Sequence, residues 1–100
     1  MFKEDIIEVL VKLTRLRKEE IENLIEIPPN PELGDYAFPC FILSKKEKKS
    51  PVDIATNLVK KIGKIENIEQ IKAIGPYINF FVDKNKLADF IIKIGSHMVL

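Results

Sequence analysis

From Ile68 to Val82 the pattern changes to a period of two, most clearly at Gln70 to Ala73 and at Tyr77 to Val82, and Gly75-Pro76 interrupts the run once. A period of two puts alternate side chains on opposite faces of an extended chain. The stretch therefore predicts two strands, joined tightly at Gly75-Pro76 and antiparallel. Ile71 and Ala73 alternate with Gln70 and Lys72 in the first; Ile78, Phe80 and Val82 alternate with Tyr77, Asn79 and Phe81 in the second. A two-stranded ribbon is marginal on its own in water, so the remainder of the chain has to cover its apolar side.

Helices supply the cover. Phe2, Ile6, Val9, Leu10, Leu13 and Leu16 recur at spacings of three and four, which predicts a helix from Phe2 to about Leu16. Ser50-Pro51-Val52-Asp53 opens a second helix: Ser50 can cap, proline suits the first helical position, and Asp53 favours the positive pole. Ile54, Ala55, Leu58, Val59 and Ile62 form its apolar face, and Gly63 closes it. A short helix is expected over Pro39 to Lys46 with Phe41, Ile42 and Leu43 partly buried, followed by a solvated ramp of lysines 45, 46, 48 and 49. A last helix is expected from Lys84, capped by Asp83, with Leu87, Phe90, Ile91 and Ile94 inward. Residues Asn23 to Ile27, ahead of Pro28-Pro29, read as a strand; Pro28 to Gly34 is a loop, and Asp35 to Phe38 a short strand or helix entry. The expected fold class is α+β, a small antiparallel sheet covered by helices on one face, and residues 1–100 read as a single domain.

Composition excludes several classes of function. The 16 basic and 15 acidic side chains nearly cancel, so no net positive field announces a nucleic-acid partner and any such recognition must be local. Cys40 is the lone cysteine and His97 the lone histidine; an internal disulfide, a histidine triad and most zinc sites are excluded, and no metal or cofactor is expected. No apolar run approaches the length of a membrane span, the charged start (Lys3, Glu4, Asp5) lacks the layout of a signal peptide, and a cytoplasmic setting is expected. Gly63-Lys64 lacks the flanking residues of a phosphate loop. Cys40 reads as a small buried apolar residue, and Asp35, after Gly34, as a side chain bonding nearby backbone amides. Nothing assembles a nucleophile, a base and an oxyanion donor, so no enzymatic activity is expected of this chain.

The second strand is more informative. With Ile78, Phe80 and Val82 inward, Tyr77, Asn79 and Phe81 share the other face. Rings that stack beside an amide that reads a base edge suit an unpaired nucleobase, and Lys72 on the neighbouring strand can meet phosphate. The same alternation also describes a strand whose outer aromatics cover a helix or another domain.

Three segments in register carry a resemblance. Pro28-Pro29-Asn30-Pro31-Glu32-Leu33-Gly34-Asp35-Tyr36-Ala37-Phe38-Pro39, Lys49-Ser50-Pro51-Val52-Asp53-Ile54-Ala55 and Gly75-Pro76-Tyr77-Ile78-Asn79-Phe80-Phe81 resemble, in order and spacing, the N-terminal domain of arginyl-tRNA synthetases. The likeness implies an accessory tRNA-binding domain that packs on the outer corner of tRNA and contacts its D-loop. It implies that Tyr77 and Asn79 engage an exposed D-loop base, on the face that the alternation already selects; Phe81 and Lys72 join them on the alternation alone. It also implies that the class I catalytic domain, with its HIGH- and KMSKS-like signatures, lies outside this chain; Leu43-Ser44-Lys45-Lys46 echoes the latter only faintly. A partner expected on the same grounds is the catalytic part of a synthetase. The alternative is a protein-interaction module that docks on a synthetase core or another translation factor without base recognition of its own.

Overall fold

The computed structural model describes residues 2–85. Helix α1 (Phe2–Thr14) buries Phe2, Ile6, Ile7 and Leu10. It stops two residues before the expected Leu16 because Thr14 turns its hydroxyl inward: Oγ1 donates to the Leu10 carbonyl at 2.7 Å and accepts from the Leu16 amide at 3.2 Å. Arg15 takes a left-handed backbone at φ 62°, which reverses the chain and drops Leu16 into the core, 2% exposed.

Helix α2 (Lys18–Leu24) corrects the strand expected over Asn23 to Ile27. Asn23 and Leu24 complete its last turn, because Ile21 and Leu24 lie one turn apart and face inward together. Only Glu26 pairs in the extended sense, exchanging two 2.8 Å hydrogen bonds with Ala37; Pro28, without an N–H, ends the pairing. A single 3-10 turn (Pro31–Leu33) is capped by Asn30, whose side chain accepts from the Glu32 amide at 3.0 Å.

The next segment is strand β1 (Tyr36–Pro39), then helix α3 (Phe41–Glu47). Pro39 therefore closes a strand, where a helix start was expected, and Leu43 alone of Phe41, Ile42 and Leu43 is buried. Helix α4 (Pro51–Ile62) follows its sequence signals: the Ser50 hydroxyl accepts from the Asp53 amide at 3.1 Å, and Ile54, Ala55, Leu58 and Ile62 face the core. Strands β2 (Ile68–Ile74) and β3 (Tyr77–Val82) form the expected antiparallel hairpin, with a register irregularity between Ile68 and Gln70. The helix expected from Lys84 is entered at Lys84 and Asn85, where Asp83 Oδ1 accepts from the Asn85 amide at 2.9 Å; Leu87, Phe90, Ile91 and Ile94 lie outside the described residues.

The sheet order is β1-β3-β2, so β3 is central and pairs antiparallel on both sides. Its inward set, Ile78, Phe80 and Val82, is no more than 2% exposed. Ile78 faces Phe38 of β1 and Ala73 of β2; Phe80 faces Tyr36 and Ile71. Helices α1 and α4 close the core over this face through Ile6, Leu10, Ile54 and Leu58. Each fully buried ring, Phe38 and Phe80, contributes roughly 1.5–3 kcal/mol relative to exposure. The molecule is α+β, with helices on one face of a small antiparallel sheet.

Candidate functional site

The outer face of the sheet carries Tyr77, Asn79 and Phe81 on β3, with Ala37 and Pro39 of β1 and Gln70, Lys72 and Ile74 of β2 as cross-strand neighbours. Among the described residues the helices reach this face only at its edge, through Phe41 at the start of α3, and the segment from Ile27 to Leu33 returns across part of it. That segment is anchored at its exit. Gly34 has φ +96°, and a Cβ there would stand 2.8 Å from the Phe80 carbonyl oxygen, so only glycine allows the approach. The Asp35 amide donates to the same Phe80 carbonyl at 2.9 Å. Strand β1 pairs no further than Tyr36 opposite Phe80, and the Asp35 carboxylate takes over where the ladder ends: Oδ2 accepts from the Val82 amide at 2.8 Å and meets Lys84 Nζ at 3.2 Å. The amide that Asp35 bonds is thus remote in sequence, not a loop neighbour.

The returning segment changes the surroundings of Asn79. Parity puts its side chain on the outer face, yet it is 3% exposed, because the Leu33 carbonyl lies above it and accepts from its Nδ2. A carbonyl oxygen can only accept, so the amide orientation is fixed, and Oδ1 is the atom left buried with no hydrogen-bond partner among the described residues. An unsatisfied buried acceptor costs about 1–3 kcal/mol and calls for a reason.

Beside Asn79 is a cleft of about 310 Å³. The returning segment lends it Ile27, Pro28, Pro29 and Leu33; the sheet lends it Ala37, Ile74, Tyr77 and Asn79. Ile27 is 77% exposed at this cleft. Tyr77 is half-buried, and its ring is braced by Phe41, with centroids 5.9 Å apart and planes at 89°. Sequence reasoning missed Phe41 as part of this face. Its placement follows from non-local pairing: Pro39 stands opposite Tyr77, and the Cys40 amide donates to the Pro76 carbonyl at 3.0 Å, which seats the start of α3 against the hairpin turn.

Of the four residues singled out from sequence, Tyr77 and Asn79 meet in this cleft. Phe81 and Lys72 do not line it; they form a pair further along the same face, with Lys72 Nζ 5.6 Å from the Phe81 ring centroid. Lys72 is exposed and stands directly opposite Asn79 in the register. The cleft brings together apolar walls, the Tyr77 ring, the Glu26 side chain and the Asn79 amide, whose buried Oδ1 is unmatched among the described residues; a compact heterocycle with an N–H suits this arrangement once Oδ1 is uncovered.

The nucleophilic side chains offer no competing chemistry. The Cys40 thiol is fully buried, and its pKa is pushed up to about 12, by burial first and then by the Glu47 charge. It stays neutral and inert at pH 7. Among the described residues no group of three or more His, Cys, Asp or Glu side chains is placed to hold a metal ion, and no helix is long and apolar enough to cross a membrane.

Comparison with known proteins adds an independent line. The family described as the arginyl tRNA synthetase N terminal domain matches residues 1–82. The arginine–tRNA ligase of Clostridium beijerinckii is 50% identical over 92 residues, which is 92% of this chain and 16% of that ligase. The arginine–tRNA ligase of Clostridium perfringens is 51% identical over 83 residues, 83% of this chain and 14% of the ligase. Among solved structures, the Thermus thermophilus arginyl-tRNA synthetase superposes with a TM-score of 0.67 at 28% identity, over 86% of this chain and 14% of that one. The chain thus spans about one seventh of the length of these relatives.

Proposed function

The chain belongs to the family of arginyl-tRNA synthetase N-terminal domains, and from that premise we propose that it is a tRNA-binding accessory domain whose outer cleft receives an unpaired base of the D-loop. Tyr77 stacks on the base. Asn79 Oδ1 accepts an N–H from its edge, Phe81 supports neighbouring stacking, and Lys72 meets the backbone. The observation that carries this reading is the Asn79 side chain, held by one hydrogen bond to Leu33 with its remaining acceptor unmatched beside an apolar cleft. A base edge supplies what the protein leaves out. In this reading the domain acts in the cytoplasm beside the catalytic part of a synthetase, and presents tRNA to it.

Binding of normal and D-loop-substituted tRNA, with the wild-type chain and with Tyr77→Ala, tests the proposal. Loss of one stack or one base-edge contact weakens binding by about 1–3 kcal/mol, roughly 5- to 150-fold. Equal binding of both tRNAs, with Tyr77→Ala neutral, overturns base recognition. A pull-down of translation proteins that survives nuclease and high salt then favours a docking role for the same face.

A further inference from the structure

A second cleft, of about 300 Å³, lies in the helical layer between the end of α1, α3 and one stripe of α4. Its apolar floor includes Leu43, Ile54 and Leu58, while Arg15, Lys46, Lys49 and Lys61 line it together with Asn57 and a single carboxylate, Glu47. The backbone holds these cations in place. Arg15 sits in the left-handed turn that ends α1, and Lys48 in the one that ends α3. The Lys48 amide donates to the Ser44 carbonyl at 2.9 Å, and the Ser44 hydroxyl donates to the Lys49 carbonyl at 2.5 Å. The α3–α4 connection is thereby pinned with Lys46 and Lys49 on one cleft. None of the four cations is in an ion pair among the described residues.

Cations at the last turns of α1 and α3 offset the negative poles of those helices, and this accounts for part of the charge. Lys61 lies in the last turn of α4, so three helix ends amount to roughly one and a half negative charges together, and Glu47 adds another. Four cations still leave an excess of roughly one to two positive charges around one concave site, on a chain whose net charge is only +1. A guanidinium fork and three ammonium groups, which can only donate, line the cleft with the Asn57 amide, the Thr14 hydroxyl and Glu47. This is the chemistry of a multi-oxygen anion.

We propose that this cleft binds phosphate, and that its source is a phosphodiester of an RNA backbone. The choice of RNA rests on the tRNA-binding reading above; the phosphate chemistry does not. Backbone contacts of this kind orient a nucleic acid without reading its sequence.

The test is an amide NMR titration of the 100-residue chain with inorganic pyrophosphate and, separately, with tRNA. It is combined with tRNA affinity as a function of salt for a cleft variant (Lys46→Gln, Lys49→Gln and Lys61→Gln together) and a control variant (Lys45→Gln, Lys60→Gln and Lys64→Gln together), all of them exposed positions. The expected result is shifts at Arg15, Lys46, Lys49, Asn57 and Lys61 with both probes. The cleft variant should lose at least tenfold in tRNA affinity at low salt, and its salt slope should drop by roughly 2, while the control keeps most of both. Shifts with pyrophosphate and none with tRNA support the phosphate site and assign it to a free polyphosphate. No shift at these residues with either probe, or equal losses in cleft and control variants, overturns the proposal. Tyr77→Ala separates the two readings: if it loses base recognition yet keeps the salt slope, the basic cleft stands apart from the outer one; if it is neutral while the cleft variant loses affinity and slope, the outer-cleft reading falls and the basic cleft stands; if it weakens binding while the cleft variant behaves like its control, only the outer cleft remains.

Discussion

Replacing Asn79 by leucine should strengthen the fold and weaken the function. The substitution removes the hydrogen bond from Nδ2 to the Leu33 carbonyl, a net loss of about 0.5–1.5 kcal/mol. Leu33 is 37% exposed, so water can replace the lost donor. The substitution also removes the buried Oδ1 that lacks a partner, which relieves about 1–3 kcal/mol. It puts an apolar side chain of similar length under an apolar loop. The balance favours the variant by about 1 kcal/mol, which corresponds to a rise of roughly 4–8 °C in Tm for a domain of this size. The same change deletes the acceptor proposed to read a base and should weaken tRNA binding roughly 5- to 150-fold. Urea and thermal melts measure the first effect and titration with labelled tRNA the second. A loss of more than about 1 kcal/mol in stability would mean that the amide is a structural pin. Unchanged tRNA affinity would remove the reason for keeping an orphaned acceptor there.

Three further outcomes are expected. Phe41→Ala should lower stability by about 0.5–1.5 kcal/mol through loss of the edge-to-face contact with Tyr77, and weaken tRNA binding by leaving Tyr77 unbraced; a double-mutant cycle with Tyr77→Ala should show strong non-additivity in both. Gly34→Ala should lower the urea midpoint by an amount equivalent to about 1–3 kcal/mol for the left-handed backbone alone, and by more because the new methyl meets the Phe80 carbonyl oxygen; a neutral result would show that the loop can shift off β3. Cys40 should resist alkylation at pH 8 until denaturant is added. Because its folded pKa is raised from about 9 to about 12, the unfolded chain releases its proton first, so stability should fall as pH rises from about 9 toward 12. Burial, followed by the Asp35 charge, raises the Tyr36 pKa too, with the same sign, and Cys40→Ala should remove only the thiol's share of the alkaline loss.

Local signals were legible wherever local chemistry decides the structure. Ser50, Pro51 and Asp53 start α4 and Gly63 ends it because capping involves only residues within one turn. The parity of β3 was legible because a strand offers two faces and the apolar set selects one. Three features were not legible, and each depends on a partner far along the chain. Parity names the face that carries Asn79 but not what covers it; the Leu33 carbonyl arrives from 46 residues away. The third strand was open between strand and helix because Tyr36 to Pro39 is too short to show a period, and its partner β3 lies beyond two helices. Phe41 read as half-buried helix surface because nothing in Pro39-Cys40-Phe41 announces that Pro39 will stand opposite Tyr77. Asn23 to Ile27 misled for a different reason: Ile21, Leu24 and Ile25 fit either period, and packing chose the helix.

Three prolines lie between Ile27 and Gly34, and hydrogen bonds from Asp35 and Asn79 to their neighbourhood tie the far end to the central strand. Proline fixes φ, so this wall surrenders its conformational freedom when the polypeptide folds and has little left to surrender when a guest arrives. Association at the outer cleft should then leave this wall in place, with rearrangement confined to the side chains that cover Asn79 Oδ1. Discrimination among guests would come from how fast the poor ones leave.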